Sequence, residues 1–198
     1  MSAITTPFPE TRAAWTLPYK GKVGMACLII AESAIFTIFV VAYLYYVGKS
    51  PAGPTPRQVL ETPSLYTICL LSSSLTVHLA ARFLQSGRRG AFLTLWFLTI
   101  VLGGLFLFGT AQEWHRLIYE KGLTISTNLF GTTYYSLVGL HASHVTAGLI
   151  MLTTVLLFGL AGRVGPEQSA RVEVLSLYWH FVDVVWVVVF TVVYILGR

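Results

Sequence analysis

Charge is what this sequence has least of: Asp, Glu, Lys and Arg together make up 11% of its 198 residues, against roughly a quarter in a soluble domain. That scarcity excludes water as the main solvent, and with it a string of soluble domains. Cysteine is rare too. Cys27 and Cys69 both fall inside apolar runs, where a free thiol behaves as a small hydrophobe, and neither sits in a Cys-x-x-Cys metal motif or a Cys-x-x-Cys-His haem-attachment motif. The first residues lack the basic, apolar and small-residue regions of a cleavable signal, so the first apolar run is expected to direct insertion itself. No internal repeat of the kind that marks many transporters is visible. The formal charge of +5 comes from basic residues scattered among loops without interleaved aromatics, which argues against a nucleic-acid partner.

What the chain has in abundance is apolar length. Hydrophobic residues make up 55% of it, and five runs (23–47, 65–84, 91–111, 129–160 and 172–196) are each long enough to cross about 30 Å of hydrocarbon as a helix. A membrane β-barrel would instead alternate polar and apolar residues in segments of roughly ten. The expected fold is therefore all-α, a polytopic bundle of five transmembrane helices, with a polar tail over 1–19 and a membrane domain over 20–198. Residues 48–57, dense in Pro and Gly, read as a loop. The short basic turn 85–90 predicts antiparallel neighbours on either side of it. Five spans put Arg12, Lys20, Lys22, Arg82, Arg88, Arg89, Arg163 and Arg171 on one side and Lys49, Arg57, Arg116, Lys121 and Arg198 on the other. The excess of basic residues predicts the N-terminus inside and the C-terminus outside.

Ionisable side chains inside the bilayer each need a partner, a neutral form or a function. Glu32 lies about ten residues past Lys22, roughly 15 Å deep at the helical rise, with no base adjacent in sequence. On the fourth span His141 and His144 are three residues apart and share a face. On the fifth, Glu173, Ser176, His180 and Asp183 fall on one face. Counting residues brings Glu32, the histidine pair and Asp183 to comparable depth, as expected if they meet inside the bundle. A further row, Ser74, His78 and Arg82, runs along the second span toward the inner surface. Each group also fits a plain role as interhelical hydrogen-bond glue. A His-x-x-His pair near carboxylates admits a transition metal on chemistry alone, but buried packing histidines are the commoner case, and no metal site is assigned. The tryptophans Trp96, Trp179 and Trp186 read as packing residues or interfacial anchors, and Gly103, Gly104 and Gly109 as points of close helix approach.

Four sequence motifs carry a resemblance. Tyr178-Trp179-His180-Phe181-Val182-Asp183-Val184-Val185-Trp186 resembles the signature of cytochrome c oxidase subunit III and its quinol-oxidase relatives. Phe130-Gly131-Thr132-Thr133-Tyr134-Tyr135, Gly139-Leu140-His141-Ala142-Ser143-His144-Val145, and Gly24-Met25 followed by Ala31-Glu32-Ser33 occur in the family's order, and Gln112-Glu113-Trp114 fits as well. The similarity covers about residues 20–197. It implies the five-helix form of a family whose other members often carry two more helices.

The function implied is a haem-free accessory subunit of an aerobic respiratory haem-copper oxidase. Such a subunit binds phospholipid and supports proton uptake and durable turnover in the catalytic subunit I. Haem and copper are expected in that partner and no cofactor in this chain, beside other oxidase subunits in a bacterial inner membrane. The resemblance makes Glu32, His141, His144, His180 and Asp183 the intramembrane polar cluster, with Glu113 and Glu173 as secondary positions; His78 joins the secondary positions from its row on the second span, and Arg82, Arg88 and Arg89 are lipid-headgroup candidates. Two other readings stay open: a proton channel or transporter using the same Glu, His and Asp groups, and an accessory subunit of a nitric oxide reductase.

Overall fold

A computed structural model describes residues 19–50 and 52–197. The tail expected over 1–19 lies outside the described residues apart from Tyr19, as do Arg12 and Arg198 of the charge count. The elements are α1 (Lys20–Tyr46), α2 (Pro56–Val59), α3 (Ser64–Gln85), α4 (Arg89–Tyr119), α5 (Leu129–Leu160) and α6 (Ser169–Phe190). A 3₁₀ turn, Pro166–Gln168, leads into α6, and a π-helical segment, Thr191–Leu196, continues it. Among the described residues there is no strand, and five helices are long and apolar enough to cross a membrane.

Two boundaries differ from the sequence expectation. The fourth helix runs to Tyr119, well past residue 111, because Gln112 to Tyr119 contains no Gly or Pro to stop it; hydropathy drops at Gln112, but helical backbone continues to Tyr119, and the chain turns at the left-handed Gly122 (φ +64°). Its 31 residues reach about 46 Å at the helical rise, longer than the hydrocarbon core. The loop 48–57 is not wholly irregular either. Pro56 opens a single turn, α2, in which Gln58 Oε1 accepts the Thr55 backbone N–H at 3.1 Å.

Local chemistry fixes the other ends. Asn128 caps α5, its Oδ1 accepting Gly131 N–H at 2.8 Å, while its Nδ2 donates to Ala52 O and Pro54 O at 3.3 and 3.2 Å. One side chain thus starts a helix and ties down the first loop. Between α3 and α4 the chain reverses in three residues. Gly87 takes φ +74°, which a residue with a Cβ resists, so that Arg88 N–H can return to Phe83 O at 2.9 Å.

Helices α3, α4, α5 and α6 touch in a closed ring, α3 on α4, α4 on α5, α5 on α6 and α6 back on α3, with the α3–α4 contact the most extensive, as their short turn predicts. Helix α1 lies outside that ring in the groove between α5 and α6. It is accordingly the least buried span, and the last span is the most buried.

The bundle's centre is built on tryptophan. Trp179 is fully buried between two glycines: a Cβ on Gly103 of α4 or on Gly148 of α5 would come within 2.8 Å of its ring. Its Nε1 donates to Ser73 Oγ (2.8 Å), Trp186 Nε1 to Thr67 Oγ1 (3.2 Å) and Trp96 Nε1 to Leu152 O (2.9 Å). Each indole therefore packs its rings and satisfies its N–H across a helix interface. Of the glycines expected at close approaches, Gly103 and Gly109 are so placed, Gly109 against the Tyr66 ring, whereas Gly104 faces open space.

Candidate functional site

Helix α1 enters the α5–α6 groove with Glu32 turned toward α5. There Glu32 Oε2 lies 3.1 Å from His144 Nε2, both side chains retaining some exposure. The carboxyl that stands alone in sequence thus has a base beside it, 112 positions away. The other ring nitrogen of His144, Nδ1, is 2.8 Å from Leu140 O. A carbonyl can only accept, so Nδ1 carries a hydrogen. The contact at Nε2 then holds one proton, on the glutamic acid or on the imidazolium, and in either arrangement the pair is neutral overall. Such a pair can keep a proton within the bilayer without exposing a net charge to lipid.

One turn beyond Glu32 on α1, Phe36 packs its ring 5.0 Å from that of His144 and 6.4 Å from that of His141. His141 faces a different environment from its neighbour. It is fully buried, stacked on Trp186 at 5.0 Å, met edge-on by Phe106 at 5.7 Å, and neither ring nitrogen has a hydrogen-bond partner. Sharing a helix face brought both histidines inward, and an aromatic box separates them.

His180 and Asp183 look toward α3. His180 Nδ1 lies 2.6 Å from Ser74 Oγ, and its ring centroid is 6.3 Å from that of His78. Asp183 is 4% exposed with neither carboxyl oxygen hydrogen-bonded. Glu173, at the start of α6, pairs with Lys22 of α1 at 2.8 Å. Glu113 accepts the Tyr194 hydroxyl at 2.9 Å, Tyr194 stands 3.4 Å from the Tyr134 hydroxyl, and the nearby Arg116 pairs with Glu61. The residues grouped by depth therefore occupy three places: Glu32 with His144 on the α1–α5 seam, His141 in the aromatic centre, and His180 with Asp183 on the α3–α6 seam.

The basic residues are similarly divided. Arg89 donates to Gly159 O at 2.7 Å and Leu160 O at 3.4 Å, closing the C-terminal end of α5; a cation there also opposes the helix dipole. Arg88 lies over the Phe83 ring at 4.9 Å. Arg82 lines a cavity between α3 and α6.

Sequence inspection did not join Ser74 to His180, Tyr194 to Glu113, or Phe36 to the histidines. A partial signal for the first was present: Ser74 lies on the polar row of α3 and His180 on that of α6, and polar rows on two membrane helices that pack together invite interhelical hydrogen bonds.

This arrangement defines a multi-pass helical membrane protein that packs its ionisable groups between helices. Among the described residues no group of three or more His, Cys, Asp and Glu side chains is placed to hold a metal ion.

Residues 16–198 match the family model described as cytochrome c oxidase subunit III. Cytochrome c oxidase subunit 3 of Synechocystis sp. is 40% identical over 87% of this chain and 74% of its own length. That of Bacillus sp. (strain PS3) is 34% identical over 100% and 96%, and cytochrome bo(3) ubiquinol oxidase subunit 3 of Pseudomonas aeruginosa is 32% identical over 88% and 84%. The chain belongs to the cytochrome c oxidase subunit III family. It is subunit III of a haem-copper oxidase and a multi-pass protein of a bacterial inner membrane.

Proposed function

We propose that this chain is a haem-free accessory subunit that packs against the oxygen-reducing subunit I, among the other subunits of the oxidase, and supports its proton uptake and its endurance during turnover. Haem and copper belong to the partner in this reading. The observation that carries it is the Glu32–His144 contact, a neutral pair with one shared proton at the seam where α1 meets α5. A group of this kind supplies or accepts protons without the cost of a bare charge in lipid.

Bound phospholipid belongs to the same reading. The α1–α6 groove holds a cleft of about 500 Å³ walled by Ile29, Phe36, Val40, Phe181, Val185 and Val189, apolar enough for acyl chains. Arg82, Arg88 and Arg89 stand toward the end of the bundle where headgroups lie. The N-terminus is assigned to the cytoplasm on the excess of basic residues on its side. A reporter fused to the C-terminus should be active only outside; cytoplasmic activity would reverse the assignment.

Replacing Glu32 by Gln tests the central role. Initial oxygen consumption by the purified complex should remain close to that of the parent, and activity should then decay faster with successive turnovers. Equal lifetime and equal proton pumping in the variant would reduce the pair to packing.

A further inference from the structure

Where α3 meets α6, the seam holds a cavity of about 430 Å³. His78, Arg82 and Gln85 line it from α3, and Glu173, Ser176 and His180 from α6. Gln85 ends α3 and Glu173 begins the second turn of α6, so the cavity lies toward the face that carries the α3–α4 turn. Its polar walls and volume suit several waters. The charged and titratable groups around it are Lys22 of α1, held by Glu173, together with His78 and Arg82 of α3 and His180 of α6.

Three residues beyond His180, roughly 4.5 Å farther along the helix axis, Asp183 is buried with both oxygens unpartnered. Ser74, on the facing helix α3, meets His180. Its hydroxyl is 2.6 Å from His180 Nδ1, and Asp183 is the next polar group along α6. An ionised carboxylate without a donor in close packing is costly, and a proton is the ligand that removes the cost. Past Asp183 the polar row stops. Trp186, its N–H occupied by Thr67, packs against Phe106 at 4.6 Å and against His141, whose nitrogens meet no hydrogen-bond partner.

We propose that the α3–α6 cavity and Asp183 form a blind-ended proton well, in which Asp183 loads and unloads through Ser74 and His180 from water on the α3–α4 side and passes nothing to the opposite face. In loading, a hydronium ion in the cavity gives its proton to His180 Nε2 and becomes water. His180 releases the Nδ1 proton to Ser74 Oγ as the serine hydroxyl, turned toward Asp183, gives its own to the carboxylate. The net change is one proton moved from water to Asp183. His180 is left with its proton on Nε2; unloading runs the same transfers in reverse, Asp183 to Ser74 to Nδ1 as Nε2 gives its proton to cavity water, and restores the starting tautomer. The proposal rests on the reading of this subunit's buried carboxyls as proton carriers, but it concerns a seam separate from Glu32 and His144.

The test is infrared spectroscopy of the full chain, purified in mild detergent with its accompanying subunits and transferred from H2O to D2O. The protonated-carboxyl C=O stretch that disappears in Asp183→Asn should shift within the mixing time. Ser74→Ala and His180→Phe should each slow that shift about tenfold or more, to the pace of local opening. Asp183→Glu, which keeps an acid at the site, should restore a band and guards against misfolding of the Asn variant. The complete absence of a band due to Asp183, a band that does not exchange, or exchange as fast in Ser74→Ala as in the parent would overturn the well. Passive proton flux through the chain alone in liposomes would overturn its blind end. Exchange through Ser74 with unaltered turnover lifetime in Glu32→Gln would keep the well and remove the proton-support role of Glu32, so the two failures are distinguishable.

Discussion

The proton on His144 Nδ1 is settled by Leu140 O, and everything at Glu32 follows from that: the carboxyl and Nε2 share what lies between them. Taking away one partner is therefore worse than taking away both. His144→Leu, which strands the Glu32 carboxyl against an aliphatic side chain, should lower stability by about 1–3 kcal/mol. The double variant Glu32→Leu/His144→Leu should recover most of the loss. Thermal unfolding of the purified complex measures both, and losses that simply add would mean the two groups are uncoupled. Glu32 could be found by its depth, but its partner could not, because the rotation of α1 in its groove, and not spacing along the chain, brings position 144 to it. The same limit applies to His141 and His144. A spacing of three places both on one face, yet Trp186 and Phe106, from other helices, make one site dry while the other keeps a carboxyl.

At the level of elements, helix ends rest on single side chains that reach across the chain. Asn128 caps α5 and grips the first loop at Ala52 and Pro54, and Arg89 closes the far end of the same helix. Asn128→Ala should cost about 1 kcal/mol for the cap alone and leave residues 48–55 more open, read as faster tryptic cleavage at Lys49. Unchanged cleavage would show that the loop is held by other contacts. The spans themselves could be read from apolar length, but the last turns of α4 could not, since a polar, helix-compatible stretch carries no hydropathy signal. The π-helical end of the last span was equally hidden. It sets Tyr194 on Glu113 and stacks its ring 5.5 Å from Phe190, an outcome of packing that local propensity does not encode.

At the scale of the whole molecule, the spans among the described residues form a ring of four helices with a fifth laid against it. Helix α1 contacts only α5 and α6 extensively, and its outer face, Ile30, Ile38, Val41 and Tyr45 among it, is exposed. A chain split between residues 50 and 52 should therefore assemble from two co-expressed pieces, with α1 co-purifying with the four-helix piece through its fit to the groove and the Glu32–His144 and Lys22–Glu173 contacts. Failure of the four-helix piece to fold at all without α1 would show that the ring depends on it. The sequence by itself determined the number of spans, the antiparallel α3–α4 pair, the family and which polar groups fall within the spans, because apolar length, turn chemistry and motif spacing are local properties of the chain. Only the tertiary structure decided that those deep groups part into a shared-proton pair, an aromatic box and a buried carboxyl behind a polar cavity. Which neighbour a side chain meets depends on how each helix is rotated and set against the others, and close packing across helices resolves that.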